Sequence, residues 1–146
     1  MTPEAPRVRP LVSADTDAAL RLYNELTFGP ATQDTAAFAA VLAHPGTTVF
    51  GAEHDGDIRA MVTLHLMPNV TWNARPYALI ENVVTAAKWR GHGLGKAVLT
   101  HAVHAAWAQN AYKVMLMTGT KRGAMGFYES VGFSSEDKHA MVIRQN

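Results

Sequence analysis

The sequence of 146 residues contains no cysteine, which excludes disulfides, thiolate catalysis and cysteine-ligated metal sites. No apolar run approaches the roughly 20 residues that a membrane-spanning helix needs. Residues 1–6 are rich in proline and show no apolar leader segment. Long basic runs are also missing and the net charge is only +1, so nothing indicates a nucleic-acid partner. We therefore expect a cytoplasmic protein that binds neither membranes nor nucleic acids.

What the chain does have is an ordinary globular composition, with 48% hydrophobic residues, and a length that suits a single domain, 1–146. Apolar residues recur with helical spacing in segments 15–26, 34–43, 93–109 and 124–131. Extended patterns cover 8–12, 47–53, 58–67, 77–85, 114–117 and 134–144, and the apolar run 114–117 should be a central strand. The order β-α-α-β-β-β-α-β-α-β(-β) predicts an α/β fold, a mixed sheet with helices on both faces.

Segment 90–96 joins an apolar strand pattern to a long helical pattern and is rich in glycine. The first N–H groups of a helix have no partner within it, and glycine lets an anion approach that backbone closely. The glycine spacing fits neither the P-loop nor the dinucleotide fingerprint. A glycine-rich turn without any ligand is the alternative. The residues predicted to hold a pyrophosphate are Arg90, Gly91, His92, Gly93, Leu94, Gly95 and Lys96.

The spacing that does fit is [QR]-x-x-G-x-[GA], on Arg90, Gly93 and Gly95. It resembles the acyl-CoA pyrophosphate loop of the GCN5-related N-acetyltransferase (GNAT) superfamily. Three further segments, 80–84, 111–116 and 124–133, resemble that family in the same order. The I-E-N-V-V and Y-K-V sequences are most similar to its glucosamine-6-phosphate N-acetyltransferase branch. The resemblance covers roughly residues 77–133.

The resemblance implies a mostly antiparallel, twisted sheet of six to seven strands with about four helices on both faces. It also implies direct transfer of an acetyl group from acetyl-CoA, as co-substrate and with no metal, to a primary amine. The acceptor would be a small molecule, such as an amino sugar, or a protein. A non-catalytic acyl-CoA-binding regulatory module is the alternative function. Pairing of C-terminal strands would make a homodimer natural.

The family also suggests roles for individual residues. Tyr128 would protonate the departing thiolate, since a phenol is a suitable donor. From its place in the middle of an apolar strand, rather than from the family, Glu81 would act as the base for the acceptor ammonium or as its anchor, with His65 on the polar side of the preceding strand as a rival base. Lys121 stands where the family often has asparagine, and it either contacts a CoA phosphate or is a solvated turn residue. The backbone edge expected to pair with the pantetheine arm is Val83, Val84 and Thr85.

The acceptor should be selected by the parts of the chain that resemble the family least. These are the loops near Phe28 and Trp72, together with Glu81 and Asn82 on the strand before the glycine-rich segment. His92, His101 and His104 bring three imidazoles near one helix, but no partner motif accompanies them. We interpret them as solvated side chains and expect no metal site.

Overall fold

The computed structural model describes residues 4–145, which form two compact units, 4–116 and 117–145. The first unit contains β1 (Arg7–Pro10), α1 (Thr16–Leu26), α2 (Thr35–Ala43), β2 (Thr47–His54), β3 (Asp57–Met67), the single-turn α3 (Thr71–Ala74), β4 (Tyr77–Thr85), α4 (Leu94–Ala108) and β5 (Val114–Leu116). The second unit contains α5 (Met125–Glu129). Residues 1–3 of the proline-rich segment lie outside the described residues. The prediction of a single domain stays a prediction.

The five strands of the first unit form one sheet in the order β1-β2-β3-β4-β5. Neighbouring strands are antiparallel except β4 and β5, which run parallel because α4 connects them as a crossover. The hairpin between β2 and β3 turns at Asp55 and Gly56, both with positive φ, as a tight hairpin turn requires. The mixed, mostly antiparallel sheet is therefore confirmed.

The predicted number of strands is not confirmed. Within residues 4–145 the sheet has five strands rather than six or seven, and segment 134–145 contains none. An alternating pattern shows only that a segment could be a strand, whereas a strand also needs a hydrogen-bonded neighbour. The expected central position of β5 is wrong as well. Among the described strands it is one of the two edge strands, and its three residues are only half-buried. A short apolar run does not reveal the position of its strand in a sheet.

Helices cover both faces of this sheet, as predicted. On one face α1 and α2 pack against the sheet through a core that includes Leu22 and Phe38, each 3% exposed, with Val49 and Met61 from the strands. Residue 50 points to the opposite face because side chains alternate along a strand. There the ring of Phe50 lies edge to face against His101 of α4 at 4.9 Å. We call these the α1/α2 face and the α4 face.

A charged cluster fixes the start of α1 against the first strands. The guanidinium of Arg9 donates to both carboxylate oxygens of Asp15, at 2.8 and 2.9 Å, and to Glu53 at 3.2 Å. Asp15 also accepts from the backbone N–H of Val12 at 2.8 Å. These hydrogen bonds, foremost those from Arg9, hold the pKa of Asp15 below its usual range. The paired carboxylates raise the pKa of Arg9 further.

Across residues 4–145, none of the helices combines the length and the apolar character that crossing a bilayer would require.

Candidate active site

The outer edge of β4 is only partly covered. The ladder between β4 and β5 covers Ala78, Leu79 and Ile80, whereas β4 continues to Thr85. Among the described strands none pairs with residues 81–85 on that side. An extended backbone with an open edge can form hydrogen bonds with an extended ligand. The predicted pantetheine-pairing residues Val83, Val84 and Thr85 all lie on this open stretch.

A bulge in β4 begins where the ladder with β5 ends. Glu81 pairs with Thr63 of β3 and Val84 pairs with Met61, so two residues of β4 oppose one residue of β3. Asn82, the first of those two, has φ 53° and is exposed. A bulge bends its strand and redirects the neighbouring groups. The bulge thus lies just after the point at which β4 and β5 stop pairing.

The glycine-rich segment forms the predicted loop at the start of α4. Gly91 has φ 83°, and Gly93, the residue before the helix, has φ 79°. No side chain caps this helix and its first turn contains no acidic residue, whereas Lys96 lies within it. The N–H groups of Leu94, Gly95 and Lys96 therefore point out of the helix start without a capping carboxylate. This is the electrostatic arrangement that favours an anion.

Both glycines of the loop leave open space where a side chain would begin. A Cβ atom at Gly91 or Gly93 would meet no protein atom within 4 Å. Crowding by the protein therefore does not explain the glycines. Their positive φ does, since a residue with a Cβ adopts it only at a cost. Any obstruction from a side chain here would fall on a ligand.

Trp89, which the sequence analysis missed, holds the loop in place. The strand end is followed by a 3-10 turn at Ala87–Trp89. The indole ring contacts the rings of His54 at 5.0 Å and His92 at 5.8 Å, and the Arg59 guanidinium lies 4.6 Å from its centroid. The hairpin of β2 and β3 therefore supports the glycine-rich loop. A lone tryptophan between Lys88 and Arg90 was the available signal.

Glu81 lies on the α1/α2 face beside two polar groups that the sequence analysis also missed. Its β3 neighbour Thr63 is only 3% exposed, and the Thr63 hydroxyl is hydrogen-bonded to the phenol of Tyr23 on α1. Burial raises the pKa of Tyr23, partly offset by that hydrogen bond. His65, the rival base, lies two residues after Thr63 on β3 and therefore faces the same side of the sheet. Sequence periodicity alone could not bring Tyr23 of α1 beside Thr63 of β3.

The two predicted acceptor loops are placed differently. Phe28 is 97% exposed in the connection between α1 and α2. In that connection the side-chain amide of Asn24 donates a hydrogen bond to the C=O of Thr32 and accepts one from its N–H. Trp72 precedes β4, whereas the glycine-rich loop follows its other end. A strand of nine residues spans about 30 Å, so the structure does not bring Trp72 beside that loop. Instead Trp72 stacks on Tyr112 at 5.4 Å.

The second unit contains the remaining predicted site residues. Tyr128 is half-buried on α5, with its ring edge to face against Phe127 at 5.1 Å and Phe133 at 6.2 Å. Lys121 is exposed in the turn before the helix. These contacts orient the phenol ring within its own unit. The proposed roles of both residues stay predictions.

Within residues 4–145 no group of three or more histidine or acidic side chains is arranged to hold a metal ion. A cavity of about 370 Å³ lies on the α4 face, lined by residues that include Phe50, Leu64 and Ala106. It is on the opposite side of the sheet from Glu81. We therefore place the candidate site at the open edge of β4 and not in this cavity.

Comparison with known proteins decides which family this geometry represents. The profile of the Acetyltransferase (GNAT) family matches residues 11–133, which include the open strand edge, the glycine-rich loop and α5. The chain belongs to the GNAT family. The resemblance found in four short motifs therefore extends over most of the sequence.

Several relatives of this GNAT protein are known. A glucosamine 6-phosphate N-acetyltransferase from Trypanosoma brucei brucei is 30% identical over 135 residues, 90% of each chain. A candidate acetyltransferase structure from Agrobacterium tumefaciens has a TM-score of 0.89 and 45% identity, covering 95% of this chain and 99% of that one. Glucosamine-6-phosphate N-acetyltransferase from Arabidopsis thaliana shares the fold with a TM-score of 0.80 at 22% identity, covering 98% and 99%.

Proposed function

We propose that this GNAT protein transfers the acetyl group of acetyl-CoA directly to a primary amine. The observation that carries the proposal is the edge of β4 at residues 81–85, unpaired by any described strand and followed, after the turn at Ala87–Trp89 and the glycine-rich loop, by an uncapped helix start. An extended arm that ends in a pyrophosphate needs both features next to each other. The GNAT family membership supports acetyl-CoA as the donor.

The residues present fit acetyl-CoA. The open backbone of Val83, Val84 and Thr85 would pair with the pantetheine amides, and the N–H groups of the loop and first helical turn would hold the pyrophosphate. Arg90 and Lys96 would add positive charge there. When bound, acetyl-CoA supplies a thioester carbonyl, which a backbone N–H near Val83 would polarise. Since Cβ atoms at Gly91 and Gly93 would meet no protein atom, the space beside the loop is open to phosphate oxygens.

Two side chains would move the protons of the reaction. Glu81, half-buried on β4, accepts a proton from the acceptor ammonium, directly or through water. The neutral amine forms the new C–N bond while the C–S bond breaks. Tyr128 donates its phenolic proton to the departing thiolate sulfur, and the acetylated nitrogen then gives up its second proton, which restores the phenol. Holding the two reactants in line contributes several kcal/mol to lowering the barrier.

The acceptor proposal begins from the substrate class of the Trypanosoma relative. Glucosamine 6-phosphate is the first amine to test, because that relative is named for it and is 30% identical over most of the chain. Amino acids, polyamines, aminoglycosides and protein N-termini form the comparison panel. The exposed connection around Phe28, close in sequence to α1, is the part proposed to discriminate among them.

Release of CoA thiol from acetyl-CoA, measured with each amine and without amine, tests this function. We expect release that depends on an amine, with one acetylated product formed per thiol. Mass spectrometry of the product identifies the acetylated nitrogen. Tight binding of CoA without thiol release from any amine would instead support the non-catalytic acyl-CoA-binding module.

A further inference from the structure

Two histidines share one buried hydroxyl group on the α1/α2 face. The Thr47 Oγ1 atom lies 2.9 Å from Nδ1 of His44 and 2.9 Å from Nδ1 of His65. Thr47 is 8% exposed, His65 is half-buried and His44 is exposed. Thr47 and Thr63 are the buried polar residues found in segment 4–145. The hydrogen bonds therefore lead from solvent, through a buried hydroxyl, to a half-buried imidazole.

The strand register places this chain of groups beside Glu81. Thr47 of β2 pairs with His65 of β3, and Thr63 of β3 pairs with Glu81 of β4. Directly paired residues share a face, and so do residues two apart on one strand. His65 is thus the diagonal neighbour of Glu81, at a typical separation of about 7–8 Å, which one water molecule can bridge.

We propose that His65, Thr47 and His44 conduct the proton of the acceptor ammonium from the Glu81 region to solvent. This inference rests on the proposed acetyl transfer, since it concerns the proton which that reaction must remove. The acceptor loses its proton beside the half-buried Glu81, and the exposed His44 provides the exit. In this role the Thr47 hydroxyl relays the proton between the two imidazoles and does not itself contact the acceptor.

The hydroxyl group can relay a proton because it accepts one hydrogen bond while it donates another. Before transfer, Nδ1–H of His65 donates to Oγ1 of Thr47, whose own hydrogen is donated to Nδ1 of His44. A proton from the ammonium, passed through Glu81 or water, binds Nε2 of His65. The Nδ1 proton of His65 then moves to the hydroxyl, whose original proton moves to Nδ1 of His44. His44 releases its Nε2 proton to solvent, so protons and charge balance.

Other titratable groups near this path are few. On the same face β4 contributes Tyr77 and Glu81, and α1 contributes Tyr23, bound to Thr63. Helix α2, which ends at Ala43 just before His44, contains no titratable side chain. Lys113 lies over the Tyr77 ring at 5.7 Å. A pH effect that depends on the Thr47 hydroxyl therefore reports on the two imidazoles.

The decisive variants are Thr47→Val, which removes the hydroxyl at nearly constant shape, and Thr47→Ser, which restores it. Thr48→Val is the matched control, because Thr48 is the next residue on β2 and faces the α4 side of the sheet. We expect Thr47→Val to lower kcat about tenfold at a pH below the pKa of the acceptor amine. The deficit should shrink as pH rises and the amine binds already neutral. Thr47→Ser should recover the parent profile, with KM for acetyl-CoA unchanged throughout.

A second measurement needs no turnover. In protein labelled with ¹⁵N-histidine, Thr47→Val should shift the Nδ1 resonances of His44 and His65, while Thr48→Val leaves them in place. Unchanged Nδ1 resonances, or a kcat deficit that is equal at every pH, would overturn the path. Normal rates in Thr47→Val would overturn the path alone, whereas no transfer to any amine by the parent would overturn the proposed function and the path together.

Discussion

Replacing Gly93 by alanine tests whether the glycine-rich loop holds a pyrophosphate. Gly93 has φ 79°, so a Cβ there costs about 1 kcal/mol in backbone strain. For a chain of this size that corresponds to a fall in Tm of about 2–4 °C. The new methyl group meets no protein atom within 4 Å, so the protein stays folded. In the complex, however, it would occupy the space proposed for phosphate oxygens.

The expected loss of CoA affinity follows from the hydrogen bonds at risk. A hydrogen bond to a charged group contributes about 1.5–3 kcal/mol, so displacing one phosphate contact weakens binding roughly 10- to 100-fold. Isothermal titration calorimetry with CoA measures this change directly. Differential scanning calorimetry on the same samples measures the loss of stability.

Gly56→Ala is the matched control. Gly56 has φ 74° and also leaves a Cβ without a protein contact, but it lies in the hairpin between β2 and β3. It should lose about as much stability as Gly93→Ala while keeping the parent's CoA affinity. Unchanged CoA affinity in folded Gly93→Ala, or an equal loss of affinity in Gly56→Ala, would refute the assignment of the loop.

Three further predictions concern protons. Tyr128→Phe should lower kcat by about 10²–10⁴-fold at unchanged acetyl-CoA affinity, and a change within threefold in steady-state assays would leave Tyr128 only a packed aromatic. Glu81→Gln should lower kcat/KM for the amine most at low pH, and a pH-independent deficit would argue against its role as base. Asp15→Asn should destabilise by about 1–2 kcal/mol. Because Arg9 lowers the folded-state pKa of Asp15, the difference in the free energy of unfolding between parent and variant should have its full size at neutral pH, where urea denaturation measures it. It should disappear as pH falls below the usual aspartate range, and a difference that persists there would contradict the ion pair.

Much of the site could be predicted from the sequence because its signals are local. The glycine-rich loop, the start of α4 and the bounds of β4 each depend on neighbouring residues, and the structure has β4 at Tyr77–Thr85 as predicted. The positive φ of Gly91 and Gly93 is likewise a property of the glycines themselves. Helices α1, α2 and α4 begin and end within about one residue of their predicted bounds, since capping residues and helical periodicity are read within each segment.

Only the tertiary structure decided what depends on pairing between distant segments. Whether a segment becomes a strand, and which residues share its face, is set by its partner and register, since a shift of one residue reverses every side chain. For this reason the sequence overstated the number of strands and placed β5 at the centre. It also could not find Trp89 as the support of the glycine-rich loop. The bridge from His44 through Thr47 to His65 requires β2 and β3 in register, and no local pattern encodes that register.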